Sequence, residues 1–531
     1  MIEFHSQDLW QLLGLLLGVG VLVVLAPVLR IPYPILLVLG GLALAFVPGL
    51  PEFELPPEVI LLGFLPPLLY SSAFFTSVRD LRSNLRPVSL LAIGLVAATM
   101  VGVAVVAHWL VDDLTWQAAF VLGALVSPTD PIAATSIGRR LGVPRRLITV
   151  IESEGLLNDA SALVFYRTAV VATVAGTFSL WEAGIQLVVN PLGGIAIGLV
   201  VGYLVRQVRR RLNDPPTEIT VALITAYLAY LPAEALGVSA VLAAVTVGLY
   251  MGWYTPELTN AETRVQGLAF WTILTFILNA SLFVLVGLQI PHVLDQLDGW
   301  STSELALSAV GICAAVILIR LAFVFPLAYL PRFLSRGRER DPYKTWRIPL
   351  VLGWAGMRGA VSLAAALAIP LTIDGGAPFP GRDIIIFLAS CVILATLVLQ
   401  GLTLPFLIKL VGLEEDGAAA VEEAKARIRA AEGAIARLEE FVEAGEIRDD
   451  TAERIRALYN FRADRFRERF DDDRSEIEER SQAYQRVRRE LLRAEEQAVV
   501  ELRRTGEISD DVMHRILRDL ALEELRLDFG A

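Results

Sequence analysis

Ile151-Glu152-Ser153-Glu154-Gly155-Leu156-Leu157-Asn158-Asp159-Ala160-Ser161 sets three carboxylates and an amide inside one apolar stretch, 147–174. About 20 apolar residues suffice to cross the hydrocarbon core of a bilayer, so the stretch reads as a membrane helix. A charge at the bilayer centre costs roughly 2.5–3.5 kcal/mol on insertion scales. These side chains must therefore face one another, a basic partner, or water inside the protein. Glu154 and Asn158 are four residues apart and share a helix face. Gly155 lies one turn before Asp159 and is expected to leave open space beside its carboxylate.

The rest of the chain fits a polytopic membrane protein. It has 531 residues, 55% hydrophobic and 19% charged, with a mean hydropathy of +0.57. A soluble chain averages about 25% charged residues. Thirteen windows are long and apolar enough to be read as spans: 9–29, 33–49, 58–78, 88–111, 114–137, 147–174, 185–206, 217–235, 238–253, 265–290, 304–330, 348–370 and 383–411. Only the stretch 234–237 divides the eighth from the ninth. The N-terminus carries neither a basic leader nor a small-residue cleavage site, so 9–29 reads as a retained span. Charge is uneven, with 32 acidic and 22 basic residues in 413–531. The chain thus divides into a membrane domain, 1–412, and a charged helical tail, 413–531.

Loop charge orients the spans. Alternate loops hold 19 basic residues, among them Arg79, Arg82, Arg139, Arg140, Arg145, Arg146, Arg206, Arg209, Arg210, Arg211 and Arg347, while the opposite loops hold only Arg382. The positive-inside rule places the basic side in the cytoplasm, with the N-terminus outside and the tail inside. A cell (inner) membrane location is expected.

The charges left within the spans are Arg167, Arg320, Arg358, Asp130, Glu152, Glu154, Asp159 and Glu234, with Lys409 near a span end. Span five contains Ser127-Pro128-Thr129-Asp130-Pro131. Two prolines around an aspartate predict a broken helix, tolerated at membrane depth only where it lines a cavity or is buried in protein. Span twelve contains Gly353-Trp354-Ala355-Gly356-Met357-Arg358-Gly359-Ala360, which suits either a close helix crossing or a second break. Spans five and twelve run in opposite directions, the sign of an inverted repeat. A carboxylate such as Asp159 holds either a proton or a hard cation, because burial disfavours its charged form and a bound cation favours it. Arg320, near the middle of span eleven, offers a partner for Glu154.

At these residues the chain resembles the monovalent cation/proton antiporter superfamily, in the bacterial form of its electroneutral sodium/proton exchanger branch. The shared motifs, in order, are Leu65-Pro66-Pro67-Leu68-Leu69-Tyr70, Thr129-Asp130-Pro131, Glu154 with Asn158-Asp159, Glu234 before Gly237-Val238-Ser239-Ala240, Asn279 with Gly287-Leu288-Gln289, and Arg358-Gly359-Ala360-Val361. The resemblance implies an all-α exchanger of about thirteen membrane helices with inverted repeats and crossed broken helices. It implies a dimerisation domain, a mobile core, a homodimer, and Na+ (or K+ or Li+) and H+ as substrates. Asp159 matches the ion-binding aspartate, here the Na+ ligand. Thr129 and Asp130 match the broken helix beside the ion. Asn158 matches the asparagine of the electroneutral branch, which implies one cation per proton. Glu154 matches a structural acid paired with a membrane arginine, for which Arg320 and Arg358 are both candidates. Many relatives carry an acid where this chain has Ser71 and Ser72, and a serine where it has Gly155. Both differences remove oxygen ligands and bear on ion selectivity.

No cofactor and no nucleic-acid partner is expected. Cys313 and Cys391 lie in apolar runs, and His5, His108, His292 and His514 show no ligand spacing. With no nucleotide-binding loop in the sequence, an existing gradient is the expected driving force. A channel-like conductor on the same scaffold and a membrane enzyme are the competing readings, the latter without a nucleophile–base pair to support it. Helical spacing in the tail suggests an exposed bundle or coiled-coil-like module, either regulatory or dimer-supporting. Asp471-Asp472-Asp473 reads as a solvated loop.

Overall fold

The computed structural model describes residues 6–29, 32–46, 57–112, 114–175, 180–295, 297, 300–334, 346–413, 417–467 and 474–528. The Asp471–Asp473 run lies outside them. The described residues are helical throughout apart from turns and one isolated bridge between Thr372 and Pro378. They divide into two compact units, Met1–Glu415 and Asp416–Ala531.

Helical elements fall at each apolar window of the first unit. Among the described residues, five are long and apolar enough to cross a membrane: Leu85–Leu110, Val188–Arg209, Ala261–Pro291, Thr302–Tyr329 and Arg382–Val411. Others are shorter or interrupted or, like the continuous 31-residue Arg145–Ala175, less apolar. Helix Pro215–Ala235 stops before Gly237, whose φ of 70° is left-handed, and helix Ala240–Leu258 starts on a Ser239 cap. That turn separates the two windows that sequence barely divides.

The interruptions follow local chemistry. Helix Trp116–Leu125 ends before Pro128, and helix Pro131–Arg140 starts with Pro131 at its first position, where a missing N–H costs nothing. Asp130 caps the new helix, its Oδ1 accepting from Ile132 N at 2.8 Å. The second interruption lies between Arg347–Trp354 and Ala360–Leu367. Of the two readings of span twelve, the structure thus takes the broken helix. No proline marks it; glycines do. The two breaks cross, with Asp130 N donating to Met357 O at 2.8 Å.

The helices of this unit pack as two groups. Tyr33–Ala45 packs on Ala261–Asp295, and Ala240–Leu258 packs on Pro57–Phe75, Leu180–Arg209 and Pro215–Ala235. Close approach at Gly41 against Val284 O, and Gly287 against Val38 O, lets the first pair touch backbone to backbone. The other group joins Val96–Leu110, Trp116–Leu125, Arg145–Ala175 and Thr302–Leu334 around the crossed breaks, with Ala360–Leu367 on Arg382–Ala395.

In the second unit, Ala418–Glu443 packs on Asp449–Arg467 and Arg474–Arg504 on Asp510–Asp528. The hairpins repeat one pattern. Gly445-Glu446-Ile447 and Gly506-Glu507-Ile508 stand 61 residues apart, each glycine left-handed, at φ 67° and 79°. Buried Ala424, Ala431 and Leu438 recur at the same offset as buried Gln485, Leu492 and Val499. In sequence this duplication is marked only by the repeated Gly-Glu-Ile.

Candidate ion-binding site

Arg145–Ala175 carries the centre of the site, and the two breaks cross beside it. Glu154 is 1% exposed and is held by Arg320, also 1% exposed, through a two-pronged pair: Nη1 to Oε1 at 2.5 Å and Nη2 to Oε2 at 3.0 Å. Arg320 also donates through Nε to Gly353 O (3.1 Å) and through Nη2 to Leu352 O (3.1 Å). Those carbonyls belong to the last turn of Arg347–Trp354, where a helix end leaves acceptors without partners and carries partial negative charge. One guanidinium thus neutralises a buried acid and caps a broken helix.

Arg358 does the second task at the other break. Its Nε donates to Val126 O at 2.8 Å, just past the end of Trp116–Leu125, and its Nη1 donates to Gly356 O. Of the two arginines considered for Glu154, Arg320 makes the pair. Gly356 faces the Arg320 guanidinium, and Gly359 faces the Asp130 side chain, so closely that a methyl group at either would collide. Gly359→Ala is therefore expected to displace Asp130 or open the crossing, an overpacking strain of about 1–3 kcal/mol. Thermal stability in detergent and cation-driven proton flux should both fall, whereas Gly433→Ala, in open space on a tail helix, should leave both unchanged.

A chain of hydrogen bonds leads from the ion pair towards the break. Thr129 Oγ1 donates to Glu154 Oε1 at 3.3 Å, and Asn158 Nδ2 donates to Thr129 Oγ1 at 2.7 Å. The carboxylate only accepts, so the threonine proton is committed to it and the threonine oxygen must accept from the amide. That fixes the amide orientation. Asn158 Oδ1 is left buried with no protein partner.

Asp159 and Asp130 are only half-buried and line a cavity of about 560 Å³. Thr129 shares its wall, as do Ser71, Ser72 and Asn279 from the other group of helices. Thr272 and Thr275 add neutral oxygens not anticipated from sequence. Their signal was faint: threonines spaced three apart on a span otherwise read as apolar. The cavity extends to Arg139 and Glu152, which pair at 2.5 Å. Gly155 lines the cavity together with Asp159, but the position its own Cβ would take is filled. A methyl group there would lie 2.7 Å from the Pro131 ring, so the glycine lets the start of Pro131–Arg140 press against the Asp159 helix.

Charge counting missed one buried pair. Arg209, placed above in a loop, is 3% exposed and meets Glu218 Oε2 at 3.4 Å, with Thr263 Oγ1 donating to Glu218 Oε1 at 3.2 Å. The available signal was Asp214-Pro215-Pro216, a helix start that puts Glu218 in the first turn.

Residues 13–410 match the family described as "Sodium/hydrogen exchanger, transmembrane". The chain belongs to that family. It is 38% identical to an uncharacterized Na(+)/H(+) exchanger of Mycobacterium bovis, over 94% of this chain and 92% of that one. It is 35% identical to a "Sodium, potassium, lithium and rubidium/H(+) antiporter" of Bacillus pumilus, over 71% of this chain and 58% of that protein. The sodium proton antiporter MjNhaP1 of Methanocaldococcus jannaschii shares its fold, with a TM-score of 0.61 at 19% identity over 76% of this chain and 99% of that one. Family membership is consistent with cation/proton antiport by a multi-pass membrane protein and agrees with the sequence resemblance.

Proposed function

We infer that this exchanger swaps one monovalent cation for one proton, with the two competing for Asp159. The observation that carries the reading is the position of Asp159 on the cavity wall, beside crossed helix breaks where Glu154 is already paired with Arg320. Arg320 neutralises Glu154, and Arg358 is spent on carbonyls at the break. Asp130 is engaged as a helix cap. Asp159 is then the carboxylate left to exchange a cation for a proton. Asn158 is neutral, so no second acid sits next to Asp159 in the chain, and charge balance favours one cation per proton. Thr129 and Asp130 supply oxygens on the same cavity wall, and Asn158 holds Thr129 in place through its amide.

Na+ is the first expected cation, with K+ and Li+ as alternatives. Neutral Ser71, Ser72, Thr275 and Asn279 on the cavity wall form a weaker electrostatic filter than added acids would. Thirteen spans, an outside N-terminus, a cell-membrane location and a homodimer complete the reading, with the tail regulatory or dimer-supporting.

Everted vesicles with an acidified lumen test it. Adding Na+, K+ or Li+ should alkalinise the lumen without moving a membrane-potential dye. A cation current without proton movement would favour the channel reading and overturn exchange.

A further inference from the structure

A second cavity, of about 520 Å³, lies along the same seam between the two groups of helices. The same two helices wall both cavities. Pro57–Phe75 presents Leu68 and Leu69 to the first and Leu65 to the second, with Pro66 and Pro67 between. Arg145–Ala175 presents Glu152, Gly155 and Asp159 to the first, and Leu163, Tyr166 and Arg167 to the second. Leu163 stands one turn past Asp159, about 6 Å along the axis, and Arg167 two turns past, about 12 Å. The cavities thus flank Asp159 along one helix, the first running to Arg139 among the basic loops and the second lying towards the other end.

Arg167 on the Asp159 helix meets Glu234 on Pro215–Ala235 in a direct ion pair across this second cavity. The partners belong to different groups of helices, and both are near 40% exposed, at 41% and 43%. Leu65 and Leu163, 1% and 8% exposed, lie at the same cavity on the Asp159 side. The first cavity reaches Asp159 while the second is bridged by charge.

We propose that the Arg167–Glu234 pair is the closure on the second route to Asp159, and that it parts once in each exchange cycle to let the ion pass on the side away from the basic loops. The proposal rests on Asp159 being the exchange site. A half-exposed pair is a weak bond, which suits a contact that is broken at every turnover. Its charges also leave a cation entering from that side facing Glu234 once Arg167 has moved away.

The test uses full-length protein with Cys313 and Cys391 replaced by alanine and Leu163→Cys as a reporter. A membrane-impermeant maleimide is applied from the face opposite the arginine-rich loops. Glu234→Gln should speed labelling by up to about fivefold, the range available from an exposed pair. It should raise KM for cation on the basic side with a smaller change in kcat. The reversed pair, Arg167→Glu with Glu234→Arg, should return both to the starting values, which a purely structural loss would not do. Separately, Arg167→Cys with Glu234→Cys, tied by a short bis-maleimide, should stop exchange that runs in the untied protein. Unchanged labelling in Glu234→Gln, or full exchange by the tied protein, overturns the proposal. Labelling needs no transport, so a failure of Asp159 as the exchange site shows separately, as full exchange retained by Asp159→Asn in the same cysteine-substituted protein.

Discussion

Asp159→Asn is expected to abolish cation-driven proton flux, to the background of vesicles lacking the protein, while leaving the fold intact. An amide neither carries an exchangeable proton in this pH range nor offers a hard cation a full negative charge, so both halves of the exchange go together. The fold should survive because Asp159 is half-buried on a cavity wall, and the buried acid on the same helix, Glu154, is paired with Arg320 without it. Folding is checked by thermal stability in detergent. Removing a carboxylate that carries no structural partner should leave the midpoint unchanged or raise it. Asp130→Asn should be milder, since asparagine also caps a helix and the Ile132 N–H can still be accepted. Full activity in Asp159→Asn would move the exchange site elsewhere.

Arg320→Met should give the largest loss of stability. It leaves Glu154 1% exposed with only the Thr129 hydroxyl donating to it, and it strips the Leu352 and Gly353 carbonyls of their donor. Breaking one side of a buried pair typically costs about 3–5 kcal/mol, whereas replacing both partners by apolar residues is often far less costly. The double variant Arg320→Met with Glu154→Leu should therefore regain much of the lost stability, read as the fraction of protein surviving a heating series. It should not regain full exchange. Without Glu154, the Thr129 hydroxyl has no acceptor to fix it, and the Asn158 amide that donates to Thr129 loses its fixed orientation. A double variant as unstable as the single one would show that capping of the break, more than the uncompensated charge, dominates.

These outcomes separate two kinds of information in the chain. Sequence alone determined the helical class, because apolar runs longer than a bilayer crossing leave a helix as the ready way to satisfy the backbone in lipid. It determined the first break, because Pro128 and Pro131 remove backbone donors at fixed positions. It also picked out Asp130, Glu154, Asp159, Arg320 and Arg358, since charges in apolar runs are few and costly. Pairing and filling were a different matter. Whether Glu154 meets Arg320 or Arg358 depends on which carbonyls each guanidinium can reach, and that is set by the crossing of two breaks more than 200 residues apart in sequence. The second break is coded by Gly353, Gly356 and Gly359, which read equally well as a tight crossing. Only the helix ends at Trp354 and Ala360, with Leu321 against Gly353, Arg320 against Gly356 and Asp130 against Gly359, decide between them. Gly155 leaves a cavity beside Asp159, but the place of its own missing side chain is taken by Pro131. A missing side chain is legible in sequence; what occupies its place is a property of the neighbouring helix, and only the tertiary structure supplies the neighbour.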